Sequence, residues 1–235
     1  MIPVLNIMGG FGTRPYNYFT TMAGLNPAPT IEPTTMNAVP KTYMTAEEYL
    51  AWEELQETKH EYLNGMVYDV YAMAGAKDAH VTIAGNVFAL AKSHLRGTPC
   101  RTYIADMKLQ ANEDSAYFYP DVFVTCDPRD RANDYYKSCP KLIVEVLSPS
   151  TDGYDRGGKF AAYRQMPSLE EYVVIDPAKL TVDLFRKRED GLWVLHPSEG
   201  QNAVEFASIG LTASFTDLFE DVQAEVSAAH SAENS

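Results

Sequence analysis

The spacing of hydrophobic residues along the chain changes between helical and extended patterns. The segment TAEEYLAWEEL, from Thr45, places a hydroxyl before acidic residues and apolar residues on one face, which predicts a short amphipathic helix. Residues 77–96 repeat apolar residues at helical spacing and close on basic residues, which predicts a long helix. Between them, EYLNGMVYDVYAMAG has an Asn-Gly pair between β-prone runs, and this pattern predicts a hairpin.

Runs rich in β-branched and aromatic residues predict strands in the second half of the chain. RTYIADMKLQ, YFYPDVFVTC and KLIVEVL predict three consecutive strands of a central sheet. Residues 148–166 have helical character only after their glycines, and EYVVIDP, LTVDLFRK and GLWVLHP predict three more strands. Strands and helices that do not strictly alternate favour an α/β fold, with a mixed central β-sheet flanked by helices and additional β-hairpins.

The two ends of the chain differ in composition from its middle. Residues 1–40 carry six prolines and no apolar period, which predicts an extended N-terminal arm. The segment from Asp217 to the end has five acids and neither Lys nor Arg, which predicts an acidic tail whose last dozen residues are disordered. We therefore expect one folded domain over residues 41–216, followed by the tail at 217–235.

Composition excludes several classes of protein. A chain of 235 residues with 46% hydrophobic residues can bury a core, and its net charge of −13 disfavours nonspecific, charge-driven binding to nucleic acid. Three cysteines without a CxxC pair predict reduced thiols in a cytoplasmic protein. There is no run of 18 apolar residues, and the N-terminus lacks a basic flank before an apolar stretch, so we expect neither membrane insertion nor secretion.

Two acidic residues interrupt apolar strands. Asp121 follows Tyr119-Pro120 and precedes Val-Phe-Val, and Glu145 lies inside LIVEVL. An unpaired buried carboxylate is costly, so these side chains either bind a metal ion or a cationic group, or face water at strand ends. Two acids on adjacent strands could hold one divalent cation.

The motifs around these acids resemble the PD-(D/E)XK nuclease superfamily, and specifically its Uma-type restriction endonuclease family. The resemblance covers about residues 44–197. Pro120-Asp121 is similar to the family's PD element, and Glu145 is similar to its second acid. The family's D-x3-K-x3-Y helix is matched by Asp155, Lys159 and Tyr163.

The chain departs from the superfamily's usual ExK motif, because position 147 is leucine. Lys141 has the same strand parity as Glu145 but lies four residues away, roughly 13 Å at about 3.3 Å per residue. The resemblance instead places the lysine at Lys159, on the helix that follows. Because long charged side chains are normally solvated, a surface position for Lys159 is the alternative.

The resemblance implies an endonuclease that hydrolyses DNA phosphodiester bonds with Mg²⁺ or Mn²⁺. Asp121 and Glu145 would bind the metal through hard oxygen ligands, and Lys159 would orient the attacking water or stabilise negative charge in the transition state. Glu61 lies in a segment similar to the family's E-x-x-x-G, and it would support the site from nearby. Asp155 is the first residue of the helix motif and a further supporting candidate.

The resemblance also implies a histidine at the position of His80. A lone histidine on an amphipathic helix is more often a hydrogen-bonded packing residue, so both roles stay open.

The sequence is also compatible with two other functions. The missing ExK lysine and the net charge of −13 are compatible with a catalytically inactive module of the same fold that binds nucleic acid or a protein partner. A purely structural scaffold would keep Asp121 and Glu145 solvated and apart. The resemblance further implies a possible homodimer, because superfamily members commonly pair to cut two strands.

Overall fold

In the computed structural model, the described residues are 43–70, 78–148, 152–198 and 202–222. The predicted arm at 1–40 and the predicted disorder of the last dozen residues lie outside them. The helices are α1 (Ala46–Glu53), α2 (Asp78–His94), α3 (Asp152–Tyr154), α4 (Phe160–Tyr163) and α5 (Phe215–Leu218). The strands are β1 (His60–Leu63), β2 (Met66–Asp69), β3 (Arg101–Ile104), β4 (Lys108–Asn112), β5 (Ala116–Phe118), β6 (Val122–Thr125), β7 (Tyr136–Lys137), β8 (Pro140–Val146), β9 (Glu171–Asp176), β10 (Thr181–Lys187), β11 (Trp193–Pro197), β12 (Ala203–Phe206) and β13 (Leu211–Ser214).

The strands form a central sheet and two smaller ones. The central sheet has six strands in the order β11-β10-β9-β8-β6-β3, with β8 and β9 parallel and the other neighbours antiparallel. A five-stranded sheet has the order β2-β1-β5-β4-β7, and β12 pairs with β13. The predicted α/β fold with a mixed sheet, flanking helices and additional hairpins is confirmed.

Both predicted N-terminal helices form, for the reasons visible in the sequence. Thr45 begins α1 with a capping box, in which the Glu48 N–H donates to Thr45 Oγ1 at 3.2 Å and the Thr45 N–H donates to Glu48 Oε2 at 2.8 Å. The helix α2 buries Ile83, Val87 and Ala91 at helical spacing against the central sheet.

The predicted hairpin is confirmed as β1 and β2. Leu63 pairs with Met66 across a two-residue loop, and the loop residues Asn64 and Gly65 have φ angles of 51° and 88°. Two positive φ angles match the right-handed twist of a hairpin, which is why Asn-Gly is favoured there.

The prediction of three consecutive strands in the central sheet is wrong in part. YFYPDVFVTC divides at Pro120 into β5, in the five-stranded sheet, and β6, in the central one. RTYIADMKLQ divides in the same way into β3 and β4, around Ala105, whose φ is 48°. β-prone residues stand on both sides of each break, so a single acid, Asp106 or Asp121, does not show that the strand ends there, although a proline cannot donate to a sheet ladder.

The prediction that helix begins only after the glycines is also wrong. α3 runs directly into a π-helical turn, Asp155–Lys159, and then into α4, so Gly157 and Gly158 lie inside a helical segment. A Cβ at Gly158 would lie 2.8 Å from Tyr154 ring atoms, so glycine permits this close approach. Single π-turns within helices are frequent at functional sites.

The hydrophobic core lies on both faces of the central sheet. One cluster includes residues of α2, β6, β8 and β9, and a second includes β4, β5 and α4. Leu218, Phe219 and Val222 belong to the first cluster, so packed structure continues past the start of the predicted acidic tail at Asp217. Within the described residues, no helix is long and apolar enough to cross a membrane.

Two cysteines form a disulfide between neighbouring strands. Arg101 pairs with Thr125 across β3 and β6, and the next residues outward, Cys100 and Cys126, are bonded to each other. Cys139 is free and buried. The prediction of three reduced thiols is therefore wrong for Cys100 and Cys126, because their pairing depends on strand register rather than on a sequence motif.

A thiol titration checks this disulfide. Protein unfolded without reductant should expose one reactive thiol per chain, that of Cys139, and all three after reduction. The Cys139→Ala variant should expose none before reduction. Three thiols in the unreduced parent would contradict the disulfide.

Candidate active site

The carboxylate of Glu145 lies near the C-terminal end of β8, on the sheet face that Ile143 and Leu147 share. Its side chain is only 3% exposed, so it does not face water at a strand end. Its Oε1 accepts a hydrogen bond from Tyr163 Oη at 3.0 Å and lies 3.4 Å from Lys159 Nζ. Its Oε2 lies 3.4 Å from the Asp121 N–H. Glu145 is therefore the point where the candidate residues meet.

Lys159 is buried and surrounded by acids. Its Nζ lies 3.0 Å from Glu61 Oε1, 3.4 Å from Glu145 Oε1 and 3.4 Å from Asp155 Oδ1. The lysine and each of these acids have side chains that are at most 6% exposed. The alternative of a solvated surface lysine is therefore wrong for Lys159.

Asp121 lies at the solvent boundary of the same site, with its side chain 21% exposed. The Val146 N–H donates to Asp121 Oδ2 at 2.7 Å, because β6 and β8 are neighbours and Val122 pairs with Val144. His80 Nε2 lies 3.2 Å from Asp121 Oδ1. The first turn of α2 thus brings His80 to the site, although sequence alone left a packing role open.

Glu61 reaches the site from β1 in the other sheet. Its Oε1 accepts a hydrogen bond from the Tyr119 N–H at 3.3 Å and the ion pair from Lys159. Its Oε2 is buried and has no hydrogen-bond partner among the described residues. A buried carboxylate oxygen without a partner is costly, and a bound cation or water would satisfy it.

Tyr163 was part of the motif but not among the predicted site residues. Its hydroxyl donates to Glu145 Oε1, and the side chain is fully buried. The spacing of Asp155, Lys159 and Tyr163 along one helical segment was the available signal, since residues four apart share a helix face. Tyr119, which contacts Glu61 through its backbone, gave no sequence signal beyond preceding Pro120-Asp121.

The electrostatics of the site reflect several buried acids around one ammonium. Burial raises the pKa of Glu145 well above its usual value, Lys159 opposes this, and the neighbouring Asp155 and Asp121 raise it further. Burial likewise raises the pKa of Glu61. For Lys159, burial lowers the pKa, but the surrounding acids outweigh burial and hold the pKa well above its usual value.

The pKa of His80 is also raised. Burial lowers it, and the hydrogen bond and charge of Asp121 outweigh that effect. The contact with Asp121 therefore favours the protonated form of His80.

The donor set suits a divalent cation. Three buried carboxylates surround one ammonium, so their full ionisation leaves excess negative charge that a cation would offset. Within the described ranges, no three His, Cys, Asp or Glu side chains form a ready metal cluster. Mg²⁺ typically uses one or two carboxylates together with water and substrate phosphate, and Asp121 and Glu145 are the residues that could supply them here.

Comparisons with known proteins show the family to which the chain belongs and support its fold. The family model described as Uma2, "Putative restriction endonuclease", matches residues 46–216. Two uncharacterized proteins of Synechocystis sp. are similar to the chain: slr1290 is 41% identical over 74% of this chain and 90% of its own, and sll1609 is 35% identical over 70% and 93%.

A crystal structure from Anabaena variabilis, titled a putative nuclease belonging to DUF820, shares the fold. Its TM-score is 0.60 at 19% identity, and the match covers 78% of this chain and 99% of that one. The family match covers well over half of the chain, and the slr1290 relative is similar over most of both proteins. The chain therefore belongs to the Uma2 family, whose description is putative restriction endonuclease.

Proposed function

We propose that this protein is a metal-dependent endonuclease that hydrolyses phosphodiester bonds in DNA. The observation that carries the proposal is the buried cluster of Glu61, Glu145 and Asp155 around Lys159, with Asp121 at its solvent-facing side. A purely structural scaffold gains nothing from several buried acids, because a buried carboxylate lowers stability unless it binds a cation or a hydrogen-bond donor.

Each residue has a separate task in the proposed reaction. Asp121 and Glu145 would hold Mg²⁺ or Mn²⁺, which would supply Lewis acidity for activating water and positive charge beside the scissile phosphate. Lys159 fixes the Glu145 carboxylate and supplies positive charge where negative charge develops. Tyr163 restrains Glu145 from the other side, and His80 restrains Asp121.

Hydrogen bonds from the backbone position the two metal-binding acids. The Val146 N–H holds one Asp121 oxygen, and the Asp121 N–H lies next to Glu145 Oε2. Because both contacts depend on the β6–β8 ladder, the two carboxylates stay adjacent without a substrate. DNA as the substrate, a homodimer that cuts two strands, and a cytoplasmic location are the parts of this proposal that derive from resemblance and composition.

Mn²⁺ binding and cleavage together test the proposal. The parent should bind Mn²⁺, measured by electron paramagnetic resonance of the free ion, and should cut supercoiled or single-stranded DNA only when Mg²⁺ or Mn²⁺ is added. Asp121→Ala should fold normally and lose most of both properties.

The outcomes separate the proposal from its rivals. Mn²⁺ binding by Asp121→Ala and Glu145→Ala that equals the parent's would refute the metal assignment. DNA binding without cutting, with either metal and on either DNA, would favour the catalytically inactive module.

A further inference from the structure

A second group of buried polar side chains lies beside the active site, on the sheet that carries Glu61. Lys108, the first residue of β4, is only 7% exposed. Its Nζ lies 5.0 Å from the ring centroid of Tyr49 and 5.8 Å from that of Tyr119. Within the described part of the chain, no carboxylate lies within ion-pairing distance of this ammonium.

A buried cation without a paired anion is unfavourable. Burial lowers the pKa of Lys108, and the more distant charges of Glu53 and Glu54 only partly reverse this. The faces of aromatic rings attract an ammonium, but this attraction is weaker than a direct ion pair in a desolvated site. An anion placed against Lys108 Nζ would therefore be stabilised, and none of the described residues provides one within ion-pairing distance.

A second ammonium lies near the same ring. Lys59 Nζ is 5.5 Å from the Tyr119 ring centroid, and it pairs with Asp106 at 2.7 Å. The Asp106 side chain is 87% exposed, so this ion pair is weak and solvent-screened. Two ammonium groups therefore flank Tyr119, in a protein whose net charge is −13.

The nearby carboxylate of Glu53 already has hydrogen-bond partners. Glu53 Oε1 accepts hydrogen bonds from the His60 N–H at 2.8 Å and from Tyr119 Oη at 2.9 Å. Glu53 Oε2 lies 3.1 Å from His60 Nδ1. These contacts satisfy the hydrogen-bonding capacity of the Glu53 carboxylate and hold the Tyr119 ring in place.

The chain places this group next to the proposed site of cleavage. The Tyr119 N–H contacts Glu61, which contacts Lys159, and Asp121 follows Tyr119 by two residues. Two extended residues span at most about 7 Å, and nucleotides of one strand rise about 3.4 Å each along a duplex. Tyr119 and Asp121 are thus close along the chain, and a strand that is bound at Asp121 and continues past the Tyr119 ring would meet the two lysines near that ring.

We propose that Lys108 and Lys59, around the Tyr119 ring, form a subsite for a phosphate group of the nucleic-acid strand, one or two nucleotides from the bond that is cut. This inference rests on the proposed function, because it takes the substrate to be a phosphodiester polymer. The subsite positions the strand and does not act on the reacting atoms. It also gives an acidic protein a local attraction for a polyanion.

Oligonucleotide binding in the presence of chelator tests the subsite without cleavage. Fluorescence anisotropy with labelled single- and double-stranded DNA should show that Lys108→Met weakens binding about tenfold, and that the slope of log K against log salt falls by about one. Lys59→Met should also weaken DNA binding. With metal added, Lys108→Met should raise KM and leave kcat nearly unchanged, which loss of a structural contact would not do.

Lys187→Met is the matched control, because it removes the same charge from β10 at the end of the sheet far from Asp121. It should bind DNA like the parent. Methionine is apolar and can pack against the two tyrosine rings, so Lys108→Met should keep the parent's melting temperature. If Lys108→Met melts at a lower temperature, DNA binding by Lys59→Met provides the test.

Several outcomes would overturn the subsite. The first is DNA affinity that is unchanged in both Lys108→Met and Lys59→Met. The second is a loss of DNA affinity in Lys187→Met that equals the loss in Lys108→Met. The third is a parent protein that binds no DNA. Stabilisation by inorganic phosphate that Lys108→Met abolishes, without any effect on DNA binding, would assign a free-anion site instead. DNA binding that depends on Lys108 in a parent that never cuts would leave the subsite standing and refute only the endonuclease.

Discussion

Glu145→Gln should abolish metal-dependent DNA cleavage while leaving the protein as stable as the parent, or more stable. The change removes a proposed metal ligand, so we expect a rate at least about a thousandfold lower. The amide keeps the shape of the side chain and can still accept the Tyr163 hydrogen bond. Initial cleavage rates and urea unfolding at pH 8 provide the two measurements.

Stability distinguishes a functional acid from a structural one here. Burial raises the pKa of Glu145, so the ionised side chain is held at a cost that the neutral amide does not carry. The control is Glu170→Gln, which neutralises an acid with a 48% exposed side chain and should cut at the parent rate. A Glu145→Gln variant that cuts normally would remove this residue from the active site.

Lys159→Met should be the most destabilising single change in the site. It leaves the carboxylates of Glu61, Glu145 and Asp155 buried without their ammonium, and breaking a buried ion pair in this way costs about 3 to 5 kcal/mol of unfolding free energy. Cleavage should be lost as well. Denaturant unfolding across a pH series measures the effect.

The pH dependence of this loss has a definite sign. Burial already raises the folded-state pKa of Glu145 and Glu61, so their favourable contribution is complete below the unfolded value of about 4.3 and is lost as pH rises through the folded value. Removing Lys159 raises those folded values further. The destabilisation should therefore be largest at neutral and alkaline pH and shrink towards pH 4.

The control for this variant is Lys92→Met. Lys92 is exposed in the last turn of α2, and its loss should change the free energy of unfolding by less than about 1 kcal/mol. An equal effect at both lysines, or a Lys159→Met protein as stable as the parent at pH 8, would contradict the buried cluster.

The sequence patterns predicted those elements whose formation depends on interactions between residues close together in the chain. The capping box at Thr45 and the apolar spacing of α2 act within a few residues, so the sequence contains all that is needed to recognise those helices. The Asn64-Gly65 loop is equally local, because two positive φ angles suit those two residues. The breaks at Ala105 and Pro120 were missed because β-prone residues resume directly after each of them, while the chain passes from one sheet to another.

The membership of the candidate site was visible in part. The motif pattern singled out Asp121 and Glu145, and the structure places them on adjacent strands, where the Asp121 N–H lies 3.4 Å from Glu145 Oε2. It also brings Glu61 and Lys159 together, although they are nearly a hundred residues apart in the chain. Tyr163 was present in the motif, but its hydrogen bond to Glu145 appears only once the helix packs on β8.

Sequence patterns alone indicated α1, α2, the hairpin and the class of fold, and the motif resemblance singled out Asp121 and Glu145. Periodicity, capping and turn chemistry act over neighbouring residues, which is why those features can be read without a structure. Tertiary packing was needed to show that Lys159 is buried among three acids, that Cys100 bonds to Cys126, and that Lys108 lies close to Tyr49 and Tyr119. Those contacts depend on strand register and on the order of strands in the sheets. Register and order are set when segments that are distant in the chain pack together and bury the core.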